Sequence, residues 1–195
     1  MWSPDGIKFA FTSWDAENKV RNWVADVKGK KAEEVKLPKV KTEESGECQV
    51  AVEDWSPDGR WFAAAGDGIH LVKTDGSTAR RLTRIRGGGC RFSPDGRKVL
   101  FVGDNVDRSE TLYVVEVAGG KPRPVVQAKN FTDIRACWSP DGRRIAYTVV
   151  FLDVGGQRVG ESNLNVVNVD GTNSATLVAE KHEPEHIRLV LLGWR

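Results

Sequence analysis

The sequence predicts an all-β protein, a β-propeller of four blades with four antiparallel strands in each, and three observations carry this. A pentapeptide recurs four times, as Trp2-Ser3-Pro4-Asp5-Gly6, Trp55-Ser56-Pro57-Asp58-Gly59, Phe92-Ser93-Pro94-Asp95-Gly96 and Trp138-Ser139-Pro140-Asp141-Gly142. Its aromatic positions are spaced 53, 37 and 46 residues apart, and Trp194 lies 56 residues further on; repeats of this length are the signature of radial or stacked sheet units. Each period also holds several strand-like stretches closed by Gly-containing turns, while helix signals are nearly absent.

The pentapeptide is a tight turn. Proline presets φ for the first central position of a type I turn and Asp tolerates the second. The following Gly supplies the left-handed residue, and Ser hydrogen-bonds back to the turn. The aromatic residue ends the preceding strand and is large enough to fill the wedge between neighbouring sheets.

After each turn comes an apolar second strand: Ile7 to Trp14, Trp61 to Ala65, Val99 to Val102 and Ile145 to Phe151. Such continuous apolar runs predict burial on both faces. A half-alternating third strand follows, at Val20 to Ala25, Ile69 to Lys73, Thr111 to Val117 and Leu164 to Val169. Each ends at a turn signal, namely Gly29, Asp75-Gly76, Gly119-Gly120 and Asp170-Gly171. A more polar fourth strand is predicted around Val35 to Leu37, Arg80 to Ile85, Pro124 to Val126 and Thr176 to Val178.

The predicted repeats are approximately 1–46, 47–86, 87–130 and 131–180 within a single propeller domain or propeller piece. The first lacks the strand that precedes Trp2. Residues 181–195 read either as the strand that completes blade one and closes a small ring, or as the first strand of a further blade. An open arc exposes apolar inter-blade faces and predicts self-association.

The Trp-Ser-Pro-Asp-Gly turn, the apolar strand after it and the strand ending in Val169-Asp170-Gly171-Thr172 resemble the WD-like repeats of TolB and of the propeller domains of prolyl oligopeptidase-type peptidases. The resemblance covers essentially the whole chain. It implies a propeller that binds other proteins or peptides, or the substrate-gating portion of a peptidase without its catalytic part. TolB-like proteins are periplasmic; this sequence itself shows no leader, so its compartment is left open.

Composition narrows the function classes. Lys and Arg number 29 against 27 Asp and Glu, for a net charge of +2, too balanced to point to nucleic acid or a membrane surface. No apolar run approaches the roughly 18 residues of a spanning helix. The odd set Cys48, Cys90 and Cys137 fits neither a disulfide framework nor a zinc knuckle and reads as small buried residues. There is no Gly-x-Ser-x-Gly elbow, and the histidines are His70, His182 and His186. His182-Glu183-Pro184-Glu185-His186 has zincin spacing, but Pro184 opposes the helix that would align the two imidazoles, so a polar loop is expected. Neither a catalytic residue, a metal site nor a cofactor is assigned.

The candidate binding residues are charged. Asp15, Asp67, Asp104 and Asp153 fall 9, 8, 8 and 11 residues after the turn glycines, at the ends of the second strands. They read either as turn caps or as a ring of carboxylates at one mouth of the propeller that attracts a basic peptide. Arg84 and Arg86 belong to a dense basic stretch with Arg80, Arg81 and Arg91, which reads as anion contacts or as protection of an exposed outer strand. Lys28 to Glu47 reads as a solvated charged loop, and Asn130-Phe131-Thr132 fits a glycosylation sequon. The pentapeptide turns share one short, uniform face. The connections on the opposite face vary, and recognition is expected there.

Overall fold

The computed structural model describes residues 1–37, 40–42, 46–104, 110–127, 131–152 and 158–181. These are all-β. The first sheet holds β1 (Lys8–Trp14), β2 (Val20–Asp26) and β3 (Lys31–Glu34), followed by a two-stranded ladder of β4 (Val40–Thr42) and β5 (Gly46–Cys48). The second sheet is β6 (Ala51–Trp55), β7 (Trp61–Gly66), β8 (Gly68–Lys73) and β9 (Ala79–Thr83). The third is β10 (Gly87–Phe92), β11 (Lys98–Asp104), β12 (Glu110–Glu116) and β13 (Arg123–Gln127). The fourth is β14 (Phe131–Trp138), β15 (Arg144–Leu152), β16 (Arg158–Asn168) and β17 (Ala175–Lys181). Every sheet is an antiparallel meander in chain order, the four-blade propeller-like arrangement expected from the repeat.

The pentapeptide turns are near copies of one another. The hydroxyls of Ser3, Ser56, Ser93 and Ser139 donate to the carboxylates of Asp5, Asp58, Asp95 and Asp141 at 2.5–2.6 Å. The same serine oxygens accept the N–H of Lys8, Trp61, Lys98 and Arg144 at 2.9 Å. The carboxylates also accept the N–H two residues on, at 3.0–3.1 Å. The glycines that follow have φ of 68–73°, a left-handed conformation that side chains resist. All four serines are buried.

Successive sheets pack face to face through three apolar clusters. Ala10 of the first sheet meets Val52, Trp55, Phe62 and Ala64 of the second. Ala63 and Leu71 of the second meet Phe92, Val99 and Phe101 of the third. Leu100 and Val114 of the third meet Trp138, Ile145 and Tyr147 of the fourth. In the second, third and fourth sheets the motif aromatic therefore faces the preceding sheet, and the second strands β7 and β11 are buried on both faces as predicted. β1 departs from that prediction, because Phe11 and Trp14 on it are exposed.

Three sequence expectations are corrected. The fourth strand of the first sheet is Lys31–Glu34 and not Val35 to Leu37. Asp26 accepts the N–H of Lys28 and Gly29, Lys30 turns left-handed, and the chain returns with Lys31 opposite Asp26. The Lys28 to Glu47 stretch is accordingly not wholly a loop, since it also carries the β4–β5 ladder. The strand missing before Trp2 is represented by a short pairing: Trp2 bridges Phe9, and Met1 exchanges hydrogen bonds with the Ala10 backbone at 2.8 Å. Residues 187–194, the expected closing strand, lie outside the described residues.

Candidate functional site

The rim opposite the pentapeptide turns carries the paired ends of β1 and β2, of β7 and β8, and of β11 and β12. Its candidate carboxylates sit at matching ends of second strands, where Trp14 pairs with Val20, Gly66 with Gly68, and Asp104 with Glu110. Their chemical situations differ. Asp15 caps its own turn, accepting the N–H of Glu17 at 3.0 Å and of Lys19 at 2.9 Å, with Arg21 at 3.6 Å. The Lys19 N–H holds its carboxyl below the ordinary value.

Asp67 takes two arginines, Arg86 at 3.2 Å and Arg81 at 3.6 Å. It sits in a corner allowed by Gly68, where φ is 94° and a Cβ would lie 2.1 Å from the Thr83 carbonyl. The Asp67 carbonyl faces Nε2 of the buried His70 at 3.2 Å. Burial lowers the His70 pKa, and its Nδ1 has no hydrogen-bond partner. Asp104 is exposed, and its N–H donates to the Arg86 carbonyl at 3.1 Å. Asp67, Arg86 and Asp104 are thus strung along the junction of the second and third sheets. Arg84 is exposed beside them. Asp153, the His182 to His186 motif and Asn130 lie outside the described residues.

The other arginines of the basic stretch hold sheets together. Arg80 lies 6.0 Å from the centre of the Trp61 ring and donates to the Val117 carbonyl of the third sheet. Arg123, at the equivalent place in the third sheet, donates to the Val169 carbonyl of the fourth. Arg91 donates to the carbonyls of Glu53 and Cys90.

Sequence reasoning missed the polar groups on the inner strands. β6 and β10 each carry a bulge directly before the motif aromatic, between Val52 and Asp54 and between Gly88 and Arg91, and β14 carries one further from it, between Thr132 and Arg135. A bulge frees backbone donors from the ladder. The Cys90 N–H is accepted by Glu53 at 2.8 Å and the Ile134 N–H by Glu110 at 2.6 Å, both from the preceding sheet. At the first junction Asn22 plays this part, accepting the Val52 N–H and donating to the Val50 carbonyl. Asp54 accepts the Phe92 N–H at 2.7 Å, and burial raises its pKa. The signal available in the sequence was the Glu53-Asp54 pair directly before a motif tryptophan.

On the turn side, a cleft of about 1180 Å³ opens between the first two sheets, walled by Lys8, Asp26, Glu33, Trp55, Asp58 and Asp75. Asp26, Asp58 and Asp75 there accept main-chain N–H groups of their own turns. Among the described residues, no group of three or more His, Cys, Asp or Glu is placed to hold a metal ion. Cys90 is a buried thiol whose pKa burial pushes well up, and Cys137, like it outside any disulfide, is half-buried.

This arrangement of bulged inner strands, repeated turns and stacked four-stranded sheets defines a WD-like β-propeller. The comparisons agree. The WD domain, G-beta repeat family matches residues 41–70. The uncharacterized peptidase YuxL of Bacillus subtilis is 35% identical over 86 residues, 42% of this chain and 12% of that protein. A TolB structure from Agrobacterium tumefaciens superposes with a TM-score of 0.72 at 23% identity, covering 93% of this chain and 64% of that one. A puromycin-hydrolyzing peptidase of Mycobacterium tuberculosis gives 0.66 at 16% identity, covering 91% and 30%. The chain is built of WD-like β-propeller repeats of the kind seen in TolB and in the propellers of prolyl oligopeptidase-type enzymes. It spans about one eighth of the YuxL peptidase and under two thirds of the TolB structure.

Proposed function

We propose that this chain is a non-enzymatic binding scaffold of the TolB-like type, taking a protein or peptide on the rim opposite the pentapeptide turns. The observation that supports this reading is the contrast between rims. One is made of four turns locked by the same serine–aspartate bonds, whereas the other carries connections of different length with charged groups, Asp104 and Arg84 among them, exposed. A rigid scaffold with one variable edge is suited to recognition.

The test is titration of a fluorescent Lys/Arg-rich decapeptide against the wild type, Asp104→Asn on this rim and Glu33→Gln in the cleft. The reading expects Asp104→Asn to weaken binding by about two- to fivefold, in keeping with loss of one partly solvated charge pair, and Glu33→Gln to leave it unchanged. The reverse pattern moves the site to the cleft between the first two sheets.

The second reading is the substrate-gating propeller of a prolyl oligopeptidase-like serine peptidase. It rests on the stretch 35% identical to a peptidase. The gene sequence around this segment tests it: a hydrolase domain encoded in the same frame favours the gating role.

A further inference from the structure

The chain contains seven Asp–Gly steps, at Asp5, Asp58, Asp67, Asp75, Asp95, Asp141 and Asp170. Such a step is open to spontaneous isomerisation, because glycine has no side chain to hinder attack of its nitrogen on the aspartate before it. In that reaction the Gly nitrogen bonds to Cγ of the protonated carboxyl. The C–OH bond breaks, and the hydroxyl leaves with the N–H proton as water. Water then adds to one carbonyl carbon of the resulting succinimide ring. Opening at the side-chain carbonyl restores Asp, whereas opening at the main-chain carbonyl leaves isoaspartate, whose backbone runs through Cβ.

Six of these steps sit in turns that oppose both requirements of ring closure. The first is that the Gly nitrogen swings towards Cβ. The nitrogens of Gly6, Gly59, Gly76, Gly96, Gly142 and Gly171 each donate to the carbonyl three residues back at 2.8–2.9 Å. A turn bond of this kind holds the aspartate at ψ of about 0°, with the following nitrogen turned away from Cβ.

The second requirement is a neutral carboxyl, since an ionised one has no hydroxyl to lose. The hydroxyls of Ser3, Ser56, Ser93 and Ser139 donate to the turn carboxylates at 2.5–2.6 Å, and such bonds favour the ionised form. At Asp170 the donor is the Thr172 hydroxyl at 2.6 Å, and at Asp75 it is Ser77. In all six this side chain is the main cause that holds the carboxyl below its ordinary value. The seventh, Asp67, is held instead by Arg81 and Arg86 beside a buried Gly68.

The hydroxyl comes from two residues before the aspartate in the pentapeptide turns and from two residues after it in the others. Closing the turn does not require it: the glycine N–H already does that, and the main-chain N–H two residues on already meets the carboxylate. We propose that the hydroxyl partner is a chemical shield that keeps each turn aspartate from isomerising, so that these six steps are modification sites held closed in the folded chain.

The test holds wild type, Ser139→Ala and Thr172→Val folded in heavy-oxygen water at neutral pH for several weeks, with circular dichroism to verify the fold. Every passage through the succinimide leaves one heavy oxygen at that step, which mass spectrometry of the digested chain reads site by site. Ser139→Ala is expected to take up label about three- to tenfold faster at Asp141, the size of effect one net hydrogen bond has on an equilibrium. Asp95, whose serine is intact in the same molecules, is expected to keep the wild-type rate. Thr172 is exposed, so Thr172→Val carries the same test to Asp170 if Ser139→Ala loses its fold. Wild-type rates at Asp141 and Asp170 in these variants overturn the proposal. So does an equal rise at Asp95 in Ser139→Ala, because the protection then belongs to the fold as a whole and not to the hydroxyl.

Discussion

The Glu53 carboxylate in the second sheet accepts the main-chain N–H of Cys90 in the third at 2.8 Å. The donor sits in a bulge, where the neighbouring strand offers it no carbonyl, and Cys90 is fully buried. The acceptor comes from another sheet, so this bond fixes blade against blade as well as satisfying the donor. The approach is close: a Cβ on Gly88 would lie 2.9 Å from the other carboxylate oxygen.

Glu53→Ala leaves a buried donor without an acceptor and is expected to cost about 1–3 kcal/mol. Glu53→Gln keeps an acceptor oxygen and is expected to cost less. Urea unfolding measures both. Glu110→Ala, which strips the Ile134 N–H of its acceptor at the next junction, is expected to behave like Glu53→Ala. A Gln variant as damaging as Ala would mean that charge, and not the hydrogen bond, holds the junction.

Ser139 donates to Asp141 at 2.6 Å and accepts the Arg144 N–H at 2.9 Å while itself buried. Ser139→Ala is expected to lose about 1–2 kcal/mol. A pH effect accompanies it. The serine hydroxyl is the main cause that holds the Asp141 carboxyl below 3.8, as Ser3, Ser56 and Ser93 do for Asp5, Asp58 and Asp95. A depressed folded pKa contributes stability above pH 3.8 that is lost as the pH falls through the folded value. Acid unfolding of Ser139→Ala should therefore be less steep below pH 4 than that of wild type.

These turns were legible in the sequence because every requirement is local: a proline, a left-handed glycine and a serine–aspartate pair within five residues. The second strands were legible from their apolar content. The Lys31–Glu34 strand was not, because its four side chains are all exposed and only backbone pairing defines it. The inner-strand latches were not either, since they join residues 37 and 24 positions apart, Glu53 to Cys90 and Glu110 to Ile134. Asp15, Asp67 and Asp104 lie at the ends of second strands, but spacing alone could not distinguish Asp15, consumed by its own turn, from the exposed Asp104.

Glycines with similar φ are expected to differ sharply in tolerance. Gly68 and Gly119 have φ of 94° and 101°, yet a Cβ at Gly68 would meet a carbonyl at 2.1 Å while one at Gly119 meets nothing within 4 Å. Gly119→Ala should cost about 1–2 kcal/mol from the left-handed backbone alone. Gly68→Ala adds a main-chain clash and should exceed about 3 kcal/mol. Thermal unfolding of the two variants measures this, and equal losses would refute the close approach of Thr83 to the Asp67 corner.

His70 is fully buried, with Nε2 facing the Asp67 carbonyl at 3.2 Å and Nδ1 unpartnered. Desolvation is the main cause that lowers its pKa below 6.5; Arg81 lowers it further, while the Asp67 carbonyl and carboxylate oppose. The unfolded chain then binds more protons than the folded one as the pH drops below 6.5. Stability from the neutral imidazole is accordingly complete above that pH and declines below it, by at most about 1.4 kcal/mol per pH unit for one group. At the equivalent place in the fourth sheet stands Asn165, opposite Tyr147 as His70 is opposite Ala64, so His70→Asn is a substitution the repeat already accommodates. Between pH 7.5 and 5.5 the melting temperature of wild type is expected to fall more than that of His70→Asn, the difference isolating this one group from carboxylates common to both. Parallel curves would place the proton uptake elsewhere.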